Sequence, residues 1–117
     1  RPECSAVDVV AALFPGGSIT GAPKLRSMEA IGEIEGEGRG FFTGSMGFID
    51  LQGRATFNIL IRTLIHRTGE DGEREVSFHV GGGITWSSDA KAEDDETMLK
   101  ASAMIAALSG FALPGRP

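Results

Sequence analysis

The sequence predicts an α+β fold in which antiparallel strands are flanked by helices, and three observations carry that prediction. Residues 41–49, 56–66 and 75–80 are rich in Phe, Ile, Leu, Val and Thr and are separated by the turn-forming stretches 50–54 and 68–72, as expected of an antiparallel β-meander. Apolar side chains recur at helical spacing on both sides, at Leu25, Met28 and Ile31 and again at Met98, Ala101, Ile105 and Leu108. Between the first apolar run and the first of those helices stands FPGGSITGAPK, residues 14–24, whose glycines and prolines demand a tight bend.

Taken in order, residues 7–14 form a short apolar helix with an early acid, Asp8, that delivers the chain into the glycine loop. The loop feeds a helix N-terminus, where Pro23 suits the first turn because its missing amide would have no partner there. An amphipathic helix follows over residues 23–34, with Arg26, Glu29 and Glu33 opposite the apolar face. The polar, glycine-rich stretch 35–40 then gives a solvated exit. The strands come next, the third running straight into Gly81, Gly82 and Gly83. Ser87, Ser88 and Asp89 offer capping side chains for the longest helix, residues 90–108, which Gly110 ends before a frayed tail at 111–117. Residues 1–110 thus read as one domain, opened at Arg1, Pro2 and Glu3 without a cap or strand, as though entered mid-domain.

Composition narrows the function. With 117 residues, 41% of them hydrophobic, the chain builds one small domain with a thin core. A formal net charge of −5 argues against nucleic acid as a partner. The sequence has neither an apolar run long enough to span a bilayer nor a signal peptide, so a soluble cytoplasmic protein is expected. The single cysteine, Cys4, can form no internal disulfide and frames no zinc site.

Three clusters could carry chemistry. Strand alternation sets Arg62 on the side of Leu60 and Leu64, an apolar face where a guanidinium needs a partner; composition alone favours an internal salt bridge, although the same fork suits a ligand carboxylate. Gly81, Gly82 and Gly83 let backbone approach a ligand, and successive amides can form an anion-binding nest, although a glycine run is more often a flexible turn. Glu93, Asp94, Asp95 and Glu96 favour the helix dipole, and the i,i+3 carboxylates of Glu93 and Glu96 also suit Mg²⁺, with Lys100 projecting beside them. The G-x-x-x-x-G spacing of Gly16 and Gly21 does not make a nucleotide loop, because Ala22 and Pro23 stand where lysine and a hydroxyl are required.

The string FPGGSITGAPK resembles the signature loop of the chorismate-utilising enzymes. Gly44-Ser45-Met46-Gly47-Phe48, Ile61-Arg62-Thr63, Gly81-Gly82-Gly83-Ile84 and Glu96-Thr97-x-x-Lys100 follow in the order of similar blocks in that family. These enzymes are several times longer, so the resemblance implies a C-terminal portion of their chorismate-binding domain. It further implies that Arg62 and the Gly81, Gly82 and Gly83 amides bind substrate carboxylates, that Glu96, with Glu93 beside it, binds Mg²⁺, that Lys100 reaches the substrate, and that the Ser18 hydroxyl lies near it. Phe42 stands where the anthranilate- and salicylate-forming branches carry tyrosine, and it cannot donate that hydrogen bond. With the wording of the loop, this points to the branch that aminates chorismate at its 4-position, using ammonia from a separate glutaminase subunit. The anthranilate-forming branch is the alternative, and a non-catalytic assembly module is a reading of another class. The family's catalytic histidine, second metal-binding glutamate and lysine nucleophile lie in blocks this sequence lacks. The chain by itself is therefore expected to be inactive and, with apolar surface uncovered, to self-associate.

Overall fold

A computed structural model describes residues 3–110; the tail expected at 111–117 lies outside the described residues. The chain divides into two compact units, Arg1–Leu60 and Ile61–Pro117.

The first unit opens with α1 (Ala6–Leu13). Ser5 caps it: the Ser5 hydroxyl accepts from the Asp8 amide at 3.2 Å, and the Asp8 carboxylate accepts from the Ser5 amide at 2.8 Å. The Ser5 hydroxyl and then its backbone hold the Asp8 carboxyl below its ordinary range. Exposed Cys4 precedes this cap. The expected bent loop contains one helical turn, α2 (Gly17–Thr20), closed at Gly21 with a φ of 89°. Thr20 is buried, its hydroxyl donating to the Gly16 carbonyl, and the Lys24 ammonium reaches back to the Pro15 carbonyl at 2.7 Å. Pro23, expected in the first turn, is instead the N-cap of α3 (Lys24–Glu35), because its ψ of 134° is still extended. Ile31 is half-buried on α3, whereas Leu25 of the same expected stripe is 77% exposed.

The first expected strand loses its leading residues to a turn in which the Phe42 amide bonds Arg39 O and the Gly44 amide bonds Phe41 O. What remains is β1 (Ser45–Ile49), paired antiparallel with β2 (Ala55–Ile59) from Ser45↔Ile59 to Ile49↔Ala55. Asp50 closes this hairpin by accepting from the Gln52 and Arg54 amides at 2.9 and 2.8 Å. Gly47 has to be glycine, since a Cβ there would stand 2.1 Å from Thr56 O and 2.5 Å from the Phe57 ring.

In the second unit the strand expected at 56–66 is interrupted. Arg62 has a φ of 50°, which no strand accommodates, so pairing resumes only at β3 (Ile65–Thr68), which pairs with β4 (Arg74–Ser77). The expected meander is therefore two separate two-stranded antiparallel sheets. The fold class is α+β, as the periodicities predict. The last helix, α4 (Ala90–Gly110), runs through Gly110 rather than stopping before it, and Asp89 caps it by accepting from the Ala92 amide at 3.0 Å. Its buried residues are Ala101 and Met104, with Glu93, Thr97 and Lys100 half-buried; Met98 and Ile105 of the expected stripe are exposed. Among the described residues no helix is long and apolar enough to cross a membrane.

Candidate functional site

The second unit brings several sequence-predicted residues together at the start of α4. The Lys100 ammonium pairs with Glu96 Oε1 at 2.7 Å and donates to the Gly81 carbonyl at 3.3 Å. The hydrogen bond from Lys100 to Glu96, reinforced by the lysine charge, holds the Glu96 carboxyl below its ordinary range. Glu93 Oε1 accepts from the Ser88 hydroxyl at 2.6 Å. Its other oxygen faces the glycine run: a Cβ on Gly82 would stand 3.1 Å from Glu93 Oε2 and 3.8 Å from Lys100 Nζ. Gly81 and Gly83 have open space at the same position, and none of the three glycines adopts a left-handed φ. What the run provides at Gly82 is room for a carboxylate and an ammonium close to the backbone.

Arg62 does not sit as strand alternation predicted. It is exposed at the break between β2 and β3, and among the described residues it makes no ion pair, so the internal salt bridge favoured by composition does not form there.

In the first unit, Phe42 is half-buried and lines a cavity of about 260 Å³ with Phe14, Ile19, Met28, Ile31 and Arg39. Ser18 is exposed on α2 and does not line this cavity.

Glu93 and Glu96 carry carboxylate oxygens, the donor type that hard cations take. Among the described residues no three His, Cys, Asp or Glu side chains are grouped to hold a metal. Two carboxylates on one helix face do fit Mg²⁺, which is held by one or two protein carboxylates while keeping waters and taking substrate oxygens.

A family profile described as chorismate binding enzyme matches residues 1–106. The chain belongs to the chorismate binding enzyme family. It is 48% identical over 108 residues to "Anthranilate synthase component 1 3" of Haloarcula marismortui, covering 92% of this chain and 20% of that protein. An "Anthranilate synthase component I-like protein" of Synechocystis sp. is 46% identical over 111 residues, covering 95% of this chain and 22% of the relative. An "Aminodeoxychorismate synthase" of Streptomyces griseus is 40% identical over 116 residues, covering 99% of this chain and 15% of its own length. The chain thus spans about a fifth or less of the length of these relatives.

Two side chains take up contacts that the sequence did not predict. Ser88 was a capping candidate only, yet it holds Glu93, while the cap is made by Asp89. Arg39 lay in a stretch read as solvated loop, and it pairs with Glu35 at 2.6 Å just beyond the end of α3, where helical spacing gives no signal.

Proposed function

We propose that the chain is part of an aminodeoxychorismate synthase component I, which replaces the 4-hydroxyl of chorismate with an amino group. In the overall reaction ammonia supplies the nitrogen, the C4–O bond breaks, and the hydroxyl leaves as water. The observation that carries a chorismate site is the cluster at Gly82, where the Glu93 carboxylate and the Lys100 ammonium stand beside the glycine backbone and Lys100 pairs in turn with Glu96. Chorismate is a dicarboxylate, and this arrangement suits one of its carboxylates.

In this reading Glu93 and Glu96 hold Mg²⁺, which offsets substrate carboxylate charge. Lys100, exchanged away from Glu96, pairs with substrate while still within reach of the Gly81 carbonyl. Arg62, exposed and without an ion pair among the described residues, offers its two-pronged donor fork to a carboxylate. Gly82 keeps the backbone clear of side-chain bulk, and these groups position substrate by preorganised charge. Ammonia comes from a glutaminase subunit acting on glutamine, the product leads to p-aminobenzoate and folate, and a cytoplasmic location completes the reading.

Anthranilate synthase component I is the second reading, favoured by the 48% identity to the Haloarcula relative. Phe42 and the loop wording FPGGSITGAPK support the aminodeoxychorismate assignment over it. Product analysis of the intact enzyme with chorismate, Mg²⁺ and ammonia separates the two: 4-amino-4-deoxychorismate is expected, and anthranilate with pyruvate would overturn the assignment. Neither product, with no binding of chorismate, would leave an assembly module.

A further inference from the structure

Ser88 lies where the loop after the glycine run meets the start of α4, and its hydroxyl is bonded on both sides within the second unit. The Ser88 amide donates to the Thr85 carbonyl at 3.1 Å and the Thr85 amide donates to Ser88 Oγ at 3.0 Å, so residues 85–88 close as a turn through backbone and side chain together. That fixes where the hydroxyl proton goes. A serine oxygen has one hydrogen to give, and the Glu93 carboxylate, whose Oε1 is 2.6 Å away, can only accept it. The Thr85 hydroxyl, 3.3 Å from Ser88 Oγ, can then join this oxygen only as a donor. Helix capping does not account for these bonds, because the Ala92 amide is met by Asp89 and not by Ser88. With Oε1 engaged, the carboxylate cannot turn freely, and Oε2 is the oxygen it presents beside Gly82. A Cβ on Gly82 would stand 3.1 Å from that oxygen and 3.8 Å from Lys100 Nζ.

We propose that Ser88 is a positioning residue for Glu93: clasped by Thr85, its hydroxyl holds Oε1 so that Oε2 is presented beside Gly82 to a divalent cation. This rests on the reading that Glu93 and Glu96 hold Mg²⁺, as the proposed function has it. Ser88 and Glu93 are both half-buried, so the bond between them is partly shielded from the water that competes for it. A carboxylate ligand that is itself hydrogen-bonded is oriented before the cation arrives, and losing such a bond costs about 10–100-fold in metal affinity or activity.

The test uses the intact enzyme carrying Ser88→Ala, Ser88→Thr, Glu93→Ala, and Ser88→Ala together with Glu93→Ala. Mn²⁺ is the probe, because it takes the same oxygen ligands as Mg²⁺ and its unbound fraction is read directly by electron paramagnetic resonance. Ser88→Ala should weaken Mn²⁺ binding about tenfold, whereas Ser88→Thr, which keeps the hydroxyl, should stay within about threefold of the unaltered enzyme. In the Glu93→Ala background, where Glu96 still offers a carboxylate, adding Ser88→Ala should change affinity by less than about twofold, because the hydroxyl acts through Glu93. Unchanged affinity in Ser88→Ala, an equal loss when Glu93 is absent, or no recovery by threonine would overturn the proposal. An independent readout is the side-chain carboxyl ¹³C resonance of Glu93, identified by its absence in Glu93→Ala, which should shift in Ser88→Ala and overturn the proposal if unchanged. If Mn²⁺ fails to bind the unaltered enzyme while that resonance shifts, it is the reading of Glu93 and Glu96 as cation ligands that fails and not the hold of Ser88 on Glu93.

Discussion

Substituting Gly82 by alanine separates the site from the fold. The added Cβ would stand 3.1 Å from Glu93 Oε2, so the carboxylate must retreat by about 0.3 Å to reach ordinary contact, and the Lys100 ammonium at 3.8 Å would touch the new methyl group. Because Gly82 lacks a left-handed φ, alanine fits the backbone, and restricting the unfolded chain stabilises by about 0.4–1 kcal/mol. The displaced carboxylate offsets part of that gain, so stability should stay within about 1 kcal/mol of the unaltered protein, a shift in Tm of a few degrees. Chorismate affinity in the presence of Mg²⁺ should fall about tenfold, equivalent to about 1.4 kcal/mol. Thermal melts and titration calorimetry on the same samples decide it. Unchanged affinity would refute the reasoning, as would a collapse in stability with affinity preserved in the folded fraction.

Three further outcomes are expected. Arg62→Lys should weaken chorismate binding despite conserving charge, because lysine cannot present two donors to one carboxylate; unchanged affinity with a lowered Tm would make Arg62 structural. Gly47→Ala should destabilise the first unit by about 1–3 kcal/mol or more, since backbone oxygen and aromatic ring both block the new methyl group; a Tm within error of the parent would contradict the strand register. The Glu96 carboxyl titrates below its ordinary 4.5, so its pairing with Lys100 contributes stability above that pH and loses it as pH falls through the lower folded value. The Tm difference between parent and Glu96→Gln should therefore narrow below pH 4.5, and a difference that widens on acidification would contradict the pairing.

What the sequence made legible was mostly local. Glu93, Glu96 and Lys100 could be placed on one side of a helix because spacings of three and four fix neighbours whatever surrounds them, and the structure joins Glu96 to Lys100. The apposition of Gly82 and Glu93 depends on how the chain returns through residues 84–89, which no periodicity encodes. Arg62 shows the reverse failure. Alternation of Leu60, Arg62 and Leu64 reads as a strand, yet a single left-handed residue ends it and divides one predicted meander into two hairpins. Leu25 and Met98 carry the helical period correctly but lie exposed, since spacing defines a face and not what covers it. Ser18 could be placed in the loop, but not on the exposed side of a helical turn within it.

The central claim is a Mg²⁺-assisted chorismate site built on Glu93, Glu96 and Lys100, and calorimetry of chorismate binding to the intact enzyme with and without Mg²⁺ tests it most directly. Binding should strengthen when Mg²⁺ is present, and that gain should vanish in Glu96→Gln while the fold persists. Affinity indifferent to Mg²⁺, or a gain that survives the loss of the Glu96 charge, would contradict the account.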